Sequence, residues 1–251
     1  MTISSTRLAQ LNSGQDASKN LAEGLAVDFA ALMAAALPQA DAALLDEMRA
    51  AAPLGISKRM LLAGELVYRA VGAQGLARLA AHRSDTVRGW ICYALAHEHA
   101  LHSPEPLENL LEAVRPFADD AHFGVREWVW MAVRPHLAKQ PEHALRHLAG
   151  WTADPSERVR RFASESTRPR GVWCAHLNIL KENPALGLPV LEPLQADPST
   201  YVQDSVGNWL NDAAKSQPQW VSALCDVWLA QNPGKATARI CKRALRSLHK
   251  K

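Results

Sequence analysis

The stretch Asp154-Pro-Ser-Glu-Arg-Val159-Arg160 decides the fold, because the chain writes it more than once. Asp120-Ala-His-Phe-Gly-Val125-Arg126 and Asp197-Pro-Ser-Thr-Tyr-Val202-Gln203 keep the same frame, and a shorter Asp85-Thr-Val87-Arg88 precedes them. The Val-to-Val spacings are 38, 34 and 43 residues, periods that mark helical solenoids. Each position has a physical task. The Asp caps a helix N-terminus or the turn before it. The Val opens an apolar stripe, and a large ring follows three residues later at Trp90, Trp128 and Phe162, on the same helix face. The Arg after the Val points to solvent or to the next repeat.

Working outward, prolines at 104, 106, 116, 135, 141, 169, 184, 189 and 193 are expected to cut the chain into helices of ordinary globular length. Toward the N-terminus, further helices are expected over about 17–37, 39–51, 57–71, 73–82 and 86–101, with a turn at 72–75. Ala and Leu dominate and no run alternates as a strand would. The expected class is all-α: HEAT-like helical repeats forming a curved α-solenoid, whose concave face is a binding surface. One domain is expected over 1–251, with N-terminal helices over about 17–82 and repeat units over about 85–119, 120–153, 154–196 and 197–251.

The net charge is +3, a mild value, but its distribution is uneven. Acids outnumber bases over 1–56, whereas Lys235 to Lys251 holds seven Lys or Arg and no acid. Such a tail is a solvated helix face or a surface that tracks phosphates. Cys92, Cys174, Cys225 and Cys241 are scattered without a CxxC pair, which fits reduced thiols in a cytoplasmic protein. The apolar run Leu21 to Leu37 is too short and too polar for a membrane span. His97-Glu98-His99-Ala-Leu-His102 fails the zincin pattern, because Leu101 stands where the second His must be. The His143/His147 pair offers only two ligands, so no metal is expected. Nucleotide-binding loops and a GxSxG elbow are absent from the sequence.

Two segments carry a resemblance. Val159-Arg-Arg-Phe-Ala-Ser-Glu-Ser-Thr-Arg-Pro-Arg-Gly-Val-Trp173 and Tyr201-Val-Gln-Asp-Ser-Val-Gly-Asn-Trp-Leu-Asn-Asp212 resemble hallmark segments of the AlkC branch of the DNA alkylation repair family. Asn20-Leu-Ala-Glu-Gly-Leu-Ala-Val-Asp, Gly55-Ile-Ser-Lys-Arg-Met and Cys241-Lys-Arg-Ala-Leu-Arg-Ser-Leu are similar to that branch as well. The resemblance implies a HEAT-like protein that binds duplex DNA containing alkylated bases as a monomer. It implies excision of cationic N-alkylated purines, chiefly 3-methyladenine, without metal or other cofactor. A 3-alkylated adenine is already cationic and leaves without a general acid. A carboxylate near C1′ then stabilises the oxocarbenium character and orients water.

Carried over residue by residue, the resemblance makes Asp212 that carboxylate and Glu165 its supporting acid, with Arg161 as electrostatic partner. Trp173 and Trp128 flank the lesion. Arg168, Arg170, Lys242, Arg243 and Arg246 contact phosphates, and Asn208 shares a helix face with Asp212. Catalytic members carry a Glu just ahead of a Phe in the second repeat; here His122 precedes Phe123, which leaves His122 or Glu127 to take that place. Taken without the resemblance, Arg161 and Glu165 are an intrahelical ion pair worth about 0.3–0.5 kcal/mol, and Trp128, Trp130 and Trp209 are core. Two other functions stay open: a non-catalytic HEAT-repeat protein that binds damaged or branched DNA, and a protein-interaction scaffold.

Overall fold

The computed structural model describes residues 3–102, 104–171 and 173–248, and among them every regular element is helical. The chain divides into two compact units, Met1–Val133 and Arg134–Lys251. The first holds α1 (Ser5–Asn12), α2 (Leu21–Ala26), α3 (Phe29–Ala36), α4 (Ala42–Ala50), α5 (Ile56–Leu79), α6 (Asp85–Leu101) and α7 (Leu107–Ala118). Helix α8 (Phe123–Lys139) contains the division. The second unit continues with α9 (Pro141–Trp151), α10 (Glu157–Ser166), α11 (Asn178–Glu182), α12 (Leu188–Leu191), α13 (Thr200–Ala214), α14 (Pro218–Gln231) and α15 (Lys235–Ala244). Short 3₁₀ turns at Pro184–Gly187 and Glu192–Leu194 flank α12. In the first unit α5 packs on α6; in the second, α13 packs on α10, α14 and α15. These are HEAT-like helical repeats.

The repeated Val side chains all sit in the core, as do Trp90 and Phe162. The repeated Asp builds the turn before its helix: Asp120, Asp154 and Asp197 each accept, through Oδ1, the backbone N–H two residues on. The Arg after the Val turns back on that turn. Arg126 donates to the carbonyls of Asp120 and Ala121, Arg160 to those of Asp154 and Pro155, and Gln203 to that of Asp197. Arg88 and Arg160 also reach forward. Arg88 holds Asp120 at 2.8 and 3.1 Å, and Arg160 holds Asp197 at 2.7 and 3.1 Å. Such half-buried charge-assisted pairs fix the register of one repeat on the next.

Three expectations need correction. In the first copy the turn-forming position is His82, not Asp85. Its Nδ1 accepts Ser84 N–H at 3.0 Å, and Arg88 donates to its carbonyl at 2.6 Å. Asp85 lies inside α6 and accepts the N–H and hydroxyl of Ser18 at 2.7 and 2.8 Å. Pro116 and Pro135 lie within α7 and α8 rather than between helices. Each removes one backbone donor, a loss the buried neighbours Val114, Phe117, Val133 and Leu137 offset by packing. The helix expected over 17–37 is two, because Asp28 caps α3 through bonds from the N–H groups of Ala30 and Ala31. The expected turn at 72–75 survives as a kink inside α5, where Gly72 takes φ +59°.

Candidate active site

Helices α10 and α13 place two acids from different repeats around one guanidinium. Glu165 and Asp212 are each 3% exposed. Between them Arg168 donates from Nη1 to Glu165 Oε1 at 2.7 Å, and from Nε and Nη2 to Asp212 Oδ2 at 2.9 and 2.8 Å. Glu165 Oε2 accepts the Ser205 hydroxyl at 2.7 Å and lies 3.6 Å from Arg161 Nη2. Ser205 in turn accepts the Ser164 hydroxyl at 2.8 Å. Burial pushes the Glu165 carboxyl up, but Arg161 and Arg168 outweigh it, with the bonds from Ser205 and Arg168 adding to their effect. Glu165 therefore stays ionised below the ordinary carboxylate range. For Arg168, burial lowers the guanidinium pKa, yet Glu165 and Asp212 raise it further still, so it remains a cation.

The two oxygens of Asp212 are not equivalent. Oδ2 carries the Arg168 fork, whereas Oδ1 meets Lys215 Nζ at 3.3 Å, and that lysine side chain is 46% exposed. A carboxylate so held keeps one face toward groups that can move aside.

The segment after α10 leads out of this pair. Arg170 donates to the Asp212 carbonyl at 3.2 Å and to Ser216 Oγ at 2.7 Å. Trp173 is 52% exposed and takes φ +61°, a conformation that costs a bulky residue about 1–3 kcal/mol. Its neighbour Cys174 has its thiol pushed up by burial and pulled down by Arg134 and Arg168. Arg161 stacks its guanidinium over Tyr201, 4.4 Å from the ring centroid.

Helix α15 and the turn after it supply cations of two kinds. Lys242 and Arg246 are exposed. Burial lowers the Arg246 guanidinium pKa and the neighbouring Arg243 lowers it further, while Asp212 raises it, so Arg246 lies within reach of the acid pair's field. Arg243 is tethered instead: its Nε donates to Asn208 Oδ1 at 2.9 Å and its Nη1 lies 3.3 Å from Asp204. Asn208 thus joins α13 to α15.

His122 and Trp128 belong to the first unit. The Trp128 indole is half-buried and packs over Gly89, where a Cβ would meet its Cδ1 at 2.8 Å. His122 stands where Ser84, Ser156 and Ser199 stand in the other copies, at the N-cap. Its Nδ1 accepts Gly124 N–H at 3.1 Å, as Ser156 and Ser199 accept the N–H two residues on. Its Nε2 lies 2.6 Å from the Ser18 carbonyl and Nδ1 lies 3.5 Å from Asp85 Oδ2. Glu127 accepts the Trp130 indole N–H at 2.9 Å. Trp209 is fully buried and donates to the Thr167 carbonyl at 2.9 Å, which ties α13 to the end of α10.

The sequence did carry one signal for a residue missed there. Three copies put a ring three residues after the Val; the fourth puts Ser205, and that hydroxyl is the one bonded to Glu165. Arg168 is also more than a surface cation, since all its side-chain bonds described above go to the acids. Among the described residues, no three His, Cys, Asp or Glu side chains gather where a metal ion could be held, and no helix is long and apolar enough to cross a membrane.

The family described as DNA alkylation repair enzyme matches residues 97–248, more than half of the chain. The chain belongs to that family. Uncharacterized protein YhaZ of Bacillus subtilis (strain 168) is 42% identical over 120 residues, which are 48% of this chain and 33% of that relative. The alkylpurine DNA glycosylase AlkC of Pseudomonas fluorescens, solved bound to DNA containing an abasic site analog, is similar with a TM-score of 0.68 and 30% identity. The likeness covers 90% of this chain and 62% of AlkC, so the chain spans less than two thirds of that protein's length. AlkD2 from Streptococcus mutans shares the fold with a TM-score of 0.60 at 19% identity, over 81% of this chain and 98% of that one. The repeat frame is thus the scaffold this chain shares with these structures, and the acid pair is built on the part the family match includes.

Proposed function

We propose that the chain is a monofunctional DNA glycosylase that removes cationic N-alkylated purines, 3-methyladenine first, from duplex DNA by hydrolysing the N-glycosidic bond. The observation that carries this is the buried Glu165–Arg168–Asp212 bridge, with Asp212 Oδ1 on its less restrained side and an exposed Trp173 on the segment that leads away from Arg168. The AlkC structure, with its DNA, supports a nucleic-acid partner of the same class.

The chemistry follows from charge. The alkylated base carries a positive charge and departs as a neutral molecule, so no acid is needed. Positive charge then develops on the deoxyribose, and Asp212 faces it as an anion whose orientation Arg168 has already fixed. Preorganised charge of this kind stabilises a transition state without reorganising during the reaction. Oδ1 can also accept a proton-side contact from the attacking water and direct it to C1′. Glu165 keeps Arg168 in place, and the Trp173 face receives the cationic nucleotide. Arg170, Arg246 and Lys242 neutralise flanking phosphates in this reading. Nothing in these steps requires a cofactor.

The test is release of free methylated bases from methylated duplex DNA, read by chromatography with mass detection. Wild type is expected to release 3-methyladenine, and Asp212→Asn to lose release by at least about 100-fold while remaining folded. Wild-type activity in that variant removes Asp212 from the mechanism. A second reading has its own observation: His122 is fully engaged as a helix cap and as the partner of the Ser18 carbonyl. With no acid at that position, a non-catalytic DNA binder would retain salt-sensitive binding and release no base.

A further inference from the structure

We propose that Arg134 is a positioning residue of the active site, which holds Trp173 and Arg168 in working geometry from inside the core. The proposal rests on the glycosylase reading and adds a residue that touches neither acid.

Arg134 is 1% exposed, among the largest fully buried side chains of the molecule. Its guanidinium donates in three directions: Nη1 to the Ser166 carbonyl at 2.9 Å, Nη2 to the Arg168 carbonyl at 2.5 Å, and Nε to the Ala175 carbonyl at 3.3 Å. None of these acceptors is a carboxylate. Burial lowers the guanidinium pKa, yet a group of this basicity stays charged. A buried cation whose bonds among the described residues all go to carbonyls is a costly arrangement, and an apolar side chain would fill the space at less cost. The geometry identifies what the cost secures.

Ser166 ends α10, and its carbonyl has no helical donor left, so the cation caps the negative end of the helix. Arg168 follows, fixed at its carbonyl by Arg134 while its side chain spans Glu165 and Asp212. Ala175 lies on the far side of Trp173. One planar group therefore ties the chain before and after the exposed indole. The Leu177 N–H donates to the Pro169 carbonyl at 3.1 Å and draws the same two strands of chain together. Gly171 is pressed into the fork as well: a Cβ there would lie 2.1 Å from Cys174 Sγ and 3.5 Å from the Arg134 guanidinium carbon. A tryptophan with positive φ persists only where its surroundings over-determine it. Here the surroundings include three bonds from one side chain.

The experiment uses Arg134→Lys, which keeps the charge but cannot span three carbonyls. The first readout is independent of activity: trypsin cleavage between Arg170 and Gly171 is expected to accelerate at least about tenfold, because the segment opens more often. The second is single-turnover base release, expected to fall about 30-fold or more, with affinity for a duplex carrying an abasic-site analogue changed less than about threefold. The third is a double-mutant cycle: in a Trp173→Ala background, Arg134→Lys is expected to cost less than about threefold further. Fully additive losses, or unchanged cleavage at Arg170, overturn the proposal. If wild type releases no base, the glycosylase reading fails while the cleavage result still decides the role of Arg134 in holding the segment. Should Arg134→Lys not fold, hydrogen exchange of wild type serves instead: a slowly exchanging Leu177 amide is expected, and fast exchange there overturns the proposal.

Discussion

Glu23 accepts Arg7 Nε at 3.1 Å on one oxygen, and Arg7 Nη2 at 2.6 Å and the Lys19 N–H at 2.8 Å on the other. The Arg7 bond is the main reason its carboxyl is lowered from the ordinary 4.5 to about 2. A depressed acid stabilises the fold fully above the unfolded value and loses that contribution as pH falls through the folded one. The stability gap between wild type and Glu23→Gln, measured by urea unfolding, is therefore expected to be constant from neutrality to about pH 5, to narrow below about 4.5, and to close near 2. A gap still open at pH 2 would contradict the assignment. At this scale the sequence spoke unevenly. Glu165 and Asp212 were legible because the resemblance spans both segments. The bridging of both by Arg168 was not, since it depends on how α13 is placed against α10. His122 looked like a missing acid, and only its N-cap geometry reveals a structural task.

Between residues and molecule stand the helices and the turns that join them. The four Val positions and the rings at Trp90 and Phe162 were readable from period alone, and all are core. Helix ends were harder. Pro116 and Pro135 are strong local signals that packing overrides, and the Asp28 cap divides a run whose hydrophobicity is continuous. The first repeat hides its turn because His82 does with Nδ1 what aspartate does elsewhere. The forward reach of Arg160 makes a direct prediction. Arg160→Met leaves the buried Asp197 without its charge partner and the Asp154 and Pro155 carbonyls without a donor, and is expected to cost about 3 kcal/mol. Chemical denaturation checks it; a loss under about 1 kcal/mol would show that the ladder contributes little beyond burial.

For the chain taken whole, charge placement matters more than the net +3. Lys242 and Arg246 are exposed, and Arg246 feels the charge of Asp212, whereas Arg243 is committed to Asn208 and Asp204. If the first two each neutralise a phosphate, the Lys242→Gln/Arg246→Gln double variant lowers the slope of log affinity against log salt by about 0.9 per contact. Titrations of one duplex at several salt concentrations measure this, and an unchanged slope would remove Lys242 and Arg246 from the interface. One small asymmetry reaches further. Gln203 copies the backward half of what Arg88 and Arg160 do and lacks the forward half. The residue after the Val therefore works as a forward connector in the first and third copies, where it is Arg, and as a local brace in the fourth, where it is Gln. A builder splicing an additional unit behind α13 and α14 would have to place Arg at 203 before the newcomer's Asp had anything to grip.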